Sequence, residues 1–190
     1  MTQNNLATVR PVESAVQIRE RQRLQNLKSL AEIVKTGDES TKAKEKKEIC
    51  MVHIQRNLDI SQVLEYKAMR GYKDQEVLEK IILASVIWLV EGFKEGGMMR
   101  TTDILKFTYH LLDFKYDSLE DVLLCFQMAE KGLLRDAETG KRIERYASMT
   151  IEILERYWAS YLTHKAEVRE ELMRSEKHKM TEGDYRTEQD

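Results

Sequence analysis

The sequence has little proline, glycine or aromatic content, and this scarcity limits the folds that it can adopt. Its 190 residues include one proline and eight glycines, and only 7% of them are aromatic. A β-sandwich or barrel needs many turns, for which proline and glycine are the usual residues. The composition therefore favours an all-α protein, and the length fits one domain, or one domain with an appendage.

Long apolar runs and a secretory signal are also missing. The longest strongly apolar stretch, residues 81–90, is about half of the roughly 20 residues that a membrane-spanning helix needs. Residues 1–10 are polar and lack the apolar run and the cleavage site of a secretory signal. We therefore expect a cytoplasmic protein that does not associate with a membrane.

Residues that would mark a catalytic or metal site are scarce and scattered. Cys50 and Cys125 stand in separate predicted helices, where thiols are most often small core residues. The four histidines form neither a His-Glu-x-x-His pair nor a cluster with cysteine, and Gly140-Lys141 lacks the spacing of a phosphate-binding loop. We predict that the protein is not an enzyme and that it holds neither a metal ion nor a cofactor.

The apolar residues that are present recur with a helical period. Pro11 suits a first helical turn, and the positions after it predict a helix to about Lys35. Turn formers at residues 36–41 end this helix and offer Ser40 or Thr41 as the next cap. Later start signals include Thr101 or Thr102 as a cap and the run Asp117-Ser118-Leu119-Glu120. With the stop signals they predict several more helices, of which the one over residues 143–173 is the longest.

These patterns predict a compact all-α bundle of five to seven helices with a long C-terminal helix and a polar tail. The helix over residues 74–94 is apolar nearly all the way round, which predicts a central buried helix. The predicted core consists of Ile81, Ile82, Val86, Leu89, Leu105, Leu112, Val122, Leu123, Phe126, Leu154 and Trp158.

The chain divides into three predicted parts. Residues 1–41 hold an N-terminal helix whose middle turn, residues 19–23, is almost wholly charged or polar, so its first half either projects from the body or docks on a partner. Residues 42–174 form the helical core domain, and residues 175–190 form a polar tail that we expect to be disordered. The apolar positions that helix one offers to a partner are Val12, Val16, Leu24 and Leu27.

Two groups of basic residues are candidates for contact with nucleic acid. The net charge of −2 is too mild for a protein that coats nucleic acid by charge alone, so any contact must be local. The alternatives are a solvated helix start for the lysines and core positions for Tyr146, Tyr157 and Trp158, which are interleaved with arginines. The candidates for contact with DNA are Lys42, Lys44, Lys46, Lys47, Arg142 and Arg145.

The order of residues between Thr102 and about Glu171 carries a resemblance. It runs through Asp117-Ser118-Leu119-Glu120-Asp121-Val122, Cys125-Phe126, Ala129 and Gly132 to a turn, Tyr146, Ile153-Leu154, Tyr157 and a charged helix. This order resembles small helical proteins carried by phages and mobile elements of gut Bacteroidetes. The resemblance implies a role in replication of the element, such as loading a helicase or organising a replisome. The chain departs from the pattern after Gly132, where residues 133–136 replace pairs of glycine and tyrosine.

The residues and the resemblance together suggest a non-enzymatic accessory protein of a phage or mobile element. Such a protein would contact a replicative helicase or primase through helix one, and DNA through the basic groups. The alternative is a helical adaptor or structural protein that binds only other proteins. Homo-oligomerisation is compatible with both hypotheses.

Overall fold

The fold is a bundle of α-helices. A computed structural model describes residues 14–92, 99–136, 138–143 and 149–187, with side chains described to residue 179. Within these ranges the chain forms no β-strand, only two isolated bridges, and it has one 3-10 helix, Met69–Gly71. The prediction of an all-α bundle with a long C-terminal helix is confirmed. The seven α-helices of these ranges are α1 (Ala15–Thr36), α2 (Thr41–Gln55), α3 (Ile60–Val63), α4 (Gln75–Gly92), α5 (Thr101–Asp113), α6 (Leu119–Glu130) and α7 (Ile151–Thr187).

Side-chain caps begin several helices where the sequence predicts them. The Ser40 hydroxyl accepts a hydrogen bond from the amide of Ala43 (3.3 Å) at the start of α2. Ser118 and Asp121 form a reciprocal capping box at the start of α6. The start of α5 differs from the prediction, because Thr101 and Thr102 lie inside the helix and Arg100 occupies the cap position without a capping hydrogen bond from its side chain. Arg100 instead pairs with Asp103 in the first turn (2.9 Å).

A tight turn and a short hairpin follow α6. Gly132 adopts a φ of 61°, and the amide of Leu133 donates to the carbonyl of Met128 (2.8 Å), as in a Schellman motif. The hairpin closes through an antiparallel bridge between Arg135 and Arg142. The sequence pattern predicts that the last helix begins at Ile143, but α7 begins at Ile151. Ile143 is buried and its amide donates to the Leu134 carbonyl (3.2 Å), so hairpin pairing removes it from the helix.

Helix α7 also extends further than the sequence pattern suggests. It continues to Thr187, through most of the segment predicted to be a disordered tail, and residues 188–190 lie outside the described residues. Six of the thirteen residues from 175 to 187 are glutamate, lysine, methionine or arginine, which have good helix propensity. On the same exposed helix Arg174 pairs with Glu170 (3.0 Å), an i,i+4 contact of the kind that supports a solvated helix.

The core draws on all the long helices, including Leu30 of α1 and Ile54 of α2, which are fully buried. Nine of the eleven predicted core residues are buried, whereas Leu105 and Leu112 are half-buried because Phe107 and Leu111 point inward from α5 in their place. None of the helices in the described residues is both long enough and apolar enough to cross a membrane.

Helix α1 packs on α2 and α4, and its charged middle turn is tied to the body of the protein. Arg23 is 6% exposed and forms an ion pair with Glu120 at the start of α6. Its guanidinium also lies 4.0 Å from the centroid of the Tyr66 ring and bonds to Glu20 of the same helix. The charged turn that suggests a projecting helix therefore anchors α1, because an ion pair and an aromatic face satisfy the buried arginine.

Candidate functional site

An apolar groove opens between the end of α1, helix α2 and helix α4. We call it the α2–α4 groove, and its volume is about 370 Å³. Val34 and Met51 are buried at its base, while Ile87 of α4 is 36% exposed. A groove of this size is within the range of specific binding sites in proteins. The apolar residues that line it are Val34, Met51, Leu83, Ala84, Ile87 and Trp88.

The groove exists because the apolar surface of α4 is wider than the strip that the neighbouring helices cover. The inner face, including Ile82, Val86 and Leu89, is fully buried as predicted for a central helix. The adjoining residues Leu83, Ala84 and Trp88 are only half-buried. The sequence prediction of a helix buried on all sides is therefore wrong for this strip, and the all-round apolar pattern is the signal of an uncovered surface.

Charged side chains of both signs surround the groove. They are Lys44, Lys47, Lys80, Glu39, Glu48 and Glu91. Two of the lysines have carboxylate partners within the protein: the Nζ of Lys47 lies 3.5 Å from Glu39, and the Nζ of Lys80 lies 2.6 Å from Glu76. An apolar floor with a mixed charged rim is the surface that an amphipathic helix of a partner can cover.

The basic residues predicted to contact DNA fall into separate environments. Lys42, Lys44 and Lys46 are exposed on α2, whereas the Lys47 side chain is only 14% exposed. Arg142 donates to the carbonyl of Lys131 (3.2 Å) beside Gly132, so it closes the end of α6. Arg145 lies outside the described residues. Arg142 thus lies in the hairpin that follows α6, whereas the four lysines lie in the first two turns of α2.

The aromatic residues interleaved with arginines are core residues where the structure describes them. Tyr157 and Trp158 are 2% and 1% exposed, so they cannot stack on a base, and Tyr146 lies outside the described residues. Arg156 donates to Asp136 (2.8 Å) and, through this hydrogen bond, holds the pKa of Asp136 well below its usual range. The alternative of a core position is therefore the correct one for Tyr157 and Trp158.

The predicted partner-binding residues of helix one are partly available. Val16 and Leu24 are 61% and 45% exposed, and both line a shallow surface formed by α1 alone. Leu27 instead packs against the core. Val12 lies outside the described residues. A one-helix surface has no opposing wall, so it offers a partner less enclosure than the α2–α4 groove does.

A buried polar network links α6 to α7. Asp121 is fully buried, and its carboxylate accepts hydrogen bonds from the Tyr161 hydroxyl (2.6 Å) and from the Lys165 ammonium (2.8 Å). Lys165 also donates to Asp117 (2.7 Å), and Ser118 donates to Asp121 through both its amide and its hydroxyl. These side chains satisfy one another's hydrogen-bonding groups. We therefore interpret them as a structural link between α6 and α7, and we call them the Asp121 network (Asp117, Ser118, Asp121, Tyr161 and Lys165).

The Asp121 network predicts a pH dependence of stability at alkaline pH. Burial and the neighbouring Asp121 carboxylate raise the pKa of Tyr161 far above that of a free tyrosine. An unfolded chain loses this proton above about pH 10 while the folded protein keeps it, so the contribution of Tyr161 is present below that pH and is lost as the pH rises. We expect the free energy of unfolding to fall with pH more steeply in the unmodified protein than in Tyr161→Phe, by up to about 1.4 kcal/mol per pH unit.

Urea unfolding at a series of pH values above about 9 measures this difference in slope. Tyr116→Phe is the matched control, because Tyr116 is 77% exposed and its loss should leave the slope unchanged. Equal slopes for the unmodified protein and Tyr161→Phe would contradict the assignment.

Packing accounts for the positions of the two cysteines and of His110, whereas His53 and His178 are exposed. Cys50 and Cys125 are free and buried, and burial raises the pKa of both thiols, which disfavours the nucleophilic thiolate. His110 lies between two aromatic rings, with its ring centroid 5.2 Å from that of Phe114. In the described ranges no group of three or more histidine, cysteine, aspartate or glutamate residues could hold a metal ion.

Comparison with known proteins supplies no relative from which a function could be transferred. The chain matches no family model, no curated protein and no solved structure. The surfaces of the molecule, above all the α2–α4 groove, are therefore the features that bear on its function.

Proposed function

We propose that this protein is a non-enzymatic adaptor that binds an amphipathic helix of a partner protein in the α2–α4 groove. The observation that carries the proposal is the incompletely buried apolar strip of Leu83, Ala84, Ile87 and Trp88 beside a wall formed by α2. Water contact with this strip is unfavourable by about 25 cal/mol per Å² of apolar surface, so covering it favours association.

The dimensions of the groove suit a short helix. Its α4 wall runs from Lys80 to Glu91, which corresponds to about 16 Å or three helical turns at 1.5 Å per residue. A partner helix would place apolar residues at i, i+3 or i+4, and i+7 against Trp88 and Ile87. Charged residues beside its apolar face would pair with the lysines and glutamates of the rim. Such pairs determine the orientation of the bound helix more than its affinity.

The setting that we propose is the replication of a phage or mobile element in the cytoplasm, as the resemblance to such proteins implies. The expected partner is then a replicative helicase or primase. The exposed lysines Lys42, Lys44 and Lys46 stay candidates for a local contact with DNA within such an assembly.

A second candidate is an adaptor that binds only proteins unrelated to replication. The groove itself favours this candidate as much as the first, because its floor is apolar and its rim carries both signs of charge. The identity of the protein bound in the groove separates the two candidates.

A photo-crosslinking amino acid at Ile87, used in host cell extract, tests the proposal. We expect a specific crosslink to one apolar helical segment, which mass spectrometry would identify. The matched control carries the same crosslinker at Ile49, which is 54% exposed on α2 but outside the lining of the groove. A helicase or primase segment would support the replication role, and an unrelated protein would favour the second candidate. Crosslinks that are absent, or equal at both positions, would contradict binding in the groove.

A further inference from the structure

A second cleft lies between the 3-10 helix, the start of α4 and the end of α5. Its volume is about 590 Å³. Unlike the α2–α4 groove, it is lined by two tyrosines as well as by charged and apolar residues. The residues that matter for its chemistry are Arg70, Tyr72, Glu79, Tyr109, Asp113 and Lys115.

Main-chain hydrogen bonds hold two basic and aromatic segments side by side at this cleft. The amide of Arg70 donates to the carbonyl of Lys115 (3.0 Å), and the amide of Met69 donates to the carbonyl of Asp117 (2.8 Å). Residues 67–73 and residues 115–116 therefore form one surface although they are far apart in sequence. We call it the tyrosine–cation surface, and it comprises Lys67, Arg70, Tyr72, Lys73, Tyr109, Lys115 and Tyr116.

The tyrosine–cation surface has more positive than negative charge. Its four cations, Lys67, Arg70, Lys73 and Lys115, are exposed, and none has an ion pair with another residue in the part of the chain that the structure describes. Three acidic residues nearby in sequence are paired elsewhere: Asp74 with Lys35, Glu76 with Lys80, and Asp117 with Lys165.

Two carboxylates do line the cleft. Glu79 accepts a hydrogen bond from the Tyr109 hydroxyl (3.1 Å), and Asp113 lies at the end of α5. Four exposed cations beside two carboxylates leave a local excess of positive charge that suits an anion.

Two tyrosine rings of this surface, Tyr109 and Tyr116, are accessible for stacking, whereas Tyr72 is half-buried. Tyr116 is 77% exposed, and the guanidinium of Arg70 lies 4.5 Å from the centroid of its ring. Tyr109 is 52% exposed, and the ammonium of Lys67 lies 5.4 Å from the centroid of the Tyr72 ring. At Tyr116 a cation held against an exposed ring places a positive charge next to a flat apolar face.

We propose that the tyrosine–cation surface binds single-stranded nucleic acid. Exposed cations for the phosphates and exposed aromatic faces for unpaired bases are the two features that such binding requires. Stacking on Tyr116 needs a base that is free of its partner strand, which favours a single strand over a duplex. This binding is independent of the α2–α4 groove and of any separate contact that the α2 lysines make with DNA.

Fluorescence anisotropy with a labelled oligothymidylate of about 15 nucleotides tests the proposal over about 50–200 mM salt. We expect binding that weakens with salt, and a smaller logarithmic salt slope for Arg70→Gln/Lys115→Gln, by about 0.7 for each phosphate that the variant no longer neutralises. Tyr116→Ala should weaken binding about 5- to 150-fold with little change in the slope, because it removes stacking and not charge.

The matched control is Arg169→Gln/Lys179→Gln, which removes the same charge from exposed positions of α7 and should leave oligonucleotide binding unchanged. The proposal is overturned if the oligonucleotide does not bind at the lowest salt, or if only the α7 variant weakens binding. Tighter binding of the matched duplex, or of a polyglutamate peptide of equal charge, would also overturn it. Ile87→Glu, which alters the α2–α4 groove, should not change oligonucleotide binding. Failure of the nucleic-acid proposal is therefore distinguishable from failure of the groove proposal.

Discussion

Asp121→Ala should lower the free energy of unfolding by about 3–5 kcal/mol, a large share of the roughly 5–15 kcal/mol that is typical of a folded domain. The carboxylate is fully buried between α6 and α7, where Lys165 and Tyr161 both donate to it. Without it, the Tyr161 hydroxyl loses its acceptor, and Lys165 keeps only Asp117. Ser118 also loses its partner in the capping box at the start of α6.

Chemical denaturation at neutral pH, followed by circular dichroism, measures this loss. Asp113→Ala is the matched control, since Asp113 is exposed at the end of α5, and it should change stability by less than about 0.5 kcal/mol. Equal stabilities for the two variants would show that the Asp121 network does not hold α7 to α6.

Leu123→Asp should prevent folding altogether. Leu123 is fully buried in α6, where Gln55 of α2 donates to its main-chain carbonyl (3.0 Å). The substitution removes apolar contacts worth about 2–5 kcal/mol and adds a buried carboxyl without a partner, which costs several kcal/mol more. The sum reaches the whole stability of an ordinary domain.

The expected result for Leu123→Asp is a chain without cooperative unfolding and with much reduced helicity in circular dichroism. Leu172→Asp makes the same change on α7, where the side chain is 38% exposed, and should retain the fold. A helical and cooperatively unfolding Leu123→Asp protein would contradict the placement of Leu123 in the core.

Local signals in the sequence account for the helices and for most of the core. Ser40 and Ser118 cap the helices that the sequence predicts them to cap, because a side-chain cap depends on residues only two or three positions away. Periodicity likewise identifies Ile82, Val86 and Leu123 as buried, since the inner face of an amphipathic helix repeats along the chain.

Features that depend on distant partners could not be predicted in this way. Arg23 belongs to a charged turn, and its burial depends on pairing with Glu120, 97 positions later. Ile143 fits the helical period of the apolar residues that follow it, but it pairs with Leu134 across the hairpin instead. In both cases a tertiary contact overrides the local preference.

The same limit applies to the candidate sites. Lys44 and Lys47 are candidates in the sequence because they cluster at a helix start, but only the fold shows that they border an apolar groove beside Trp88. Arg70 and Tyr116 are 46 positions apart, and only main-chain pairing brings their side chains into contact. Clustering along the sequence cannot indicate a surface of this kind.

The fluorescence emission of Trp88 is the most direct test of whether the α2–α4 groove binds a partner helix. Of the two tryptophans, Trp88 lines the groove, while Trp158 is 1% exposed in the core and gives a constant background. Titration with a synthetic peptide of the segment crosslinked at Ile87 should shift the emission to shorter wavelength and saturate. Ile87→Glu should abolish the shift, whereas Ile49→Glu should retain it. A peptide that binds equally well to both variants, or that leaves Trp88 emission unchanged on binding, would contradict the claim.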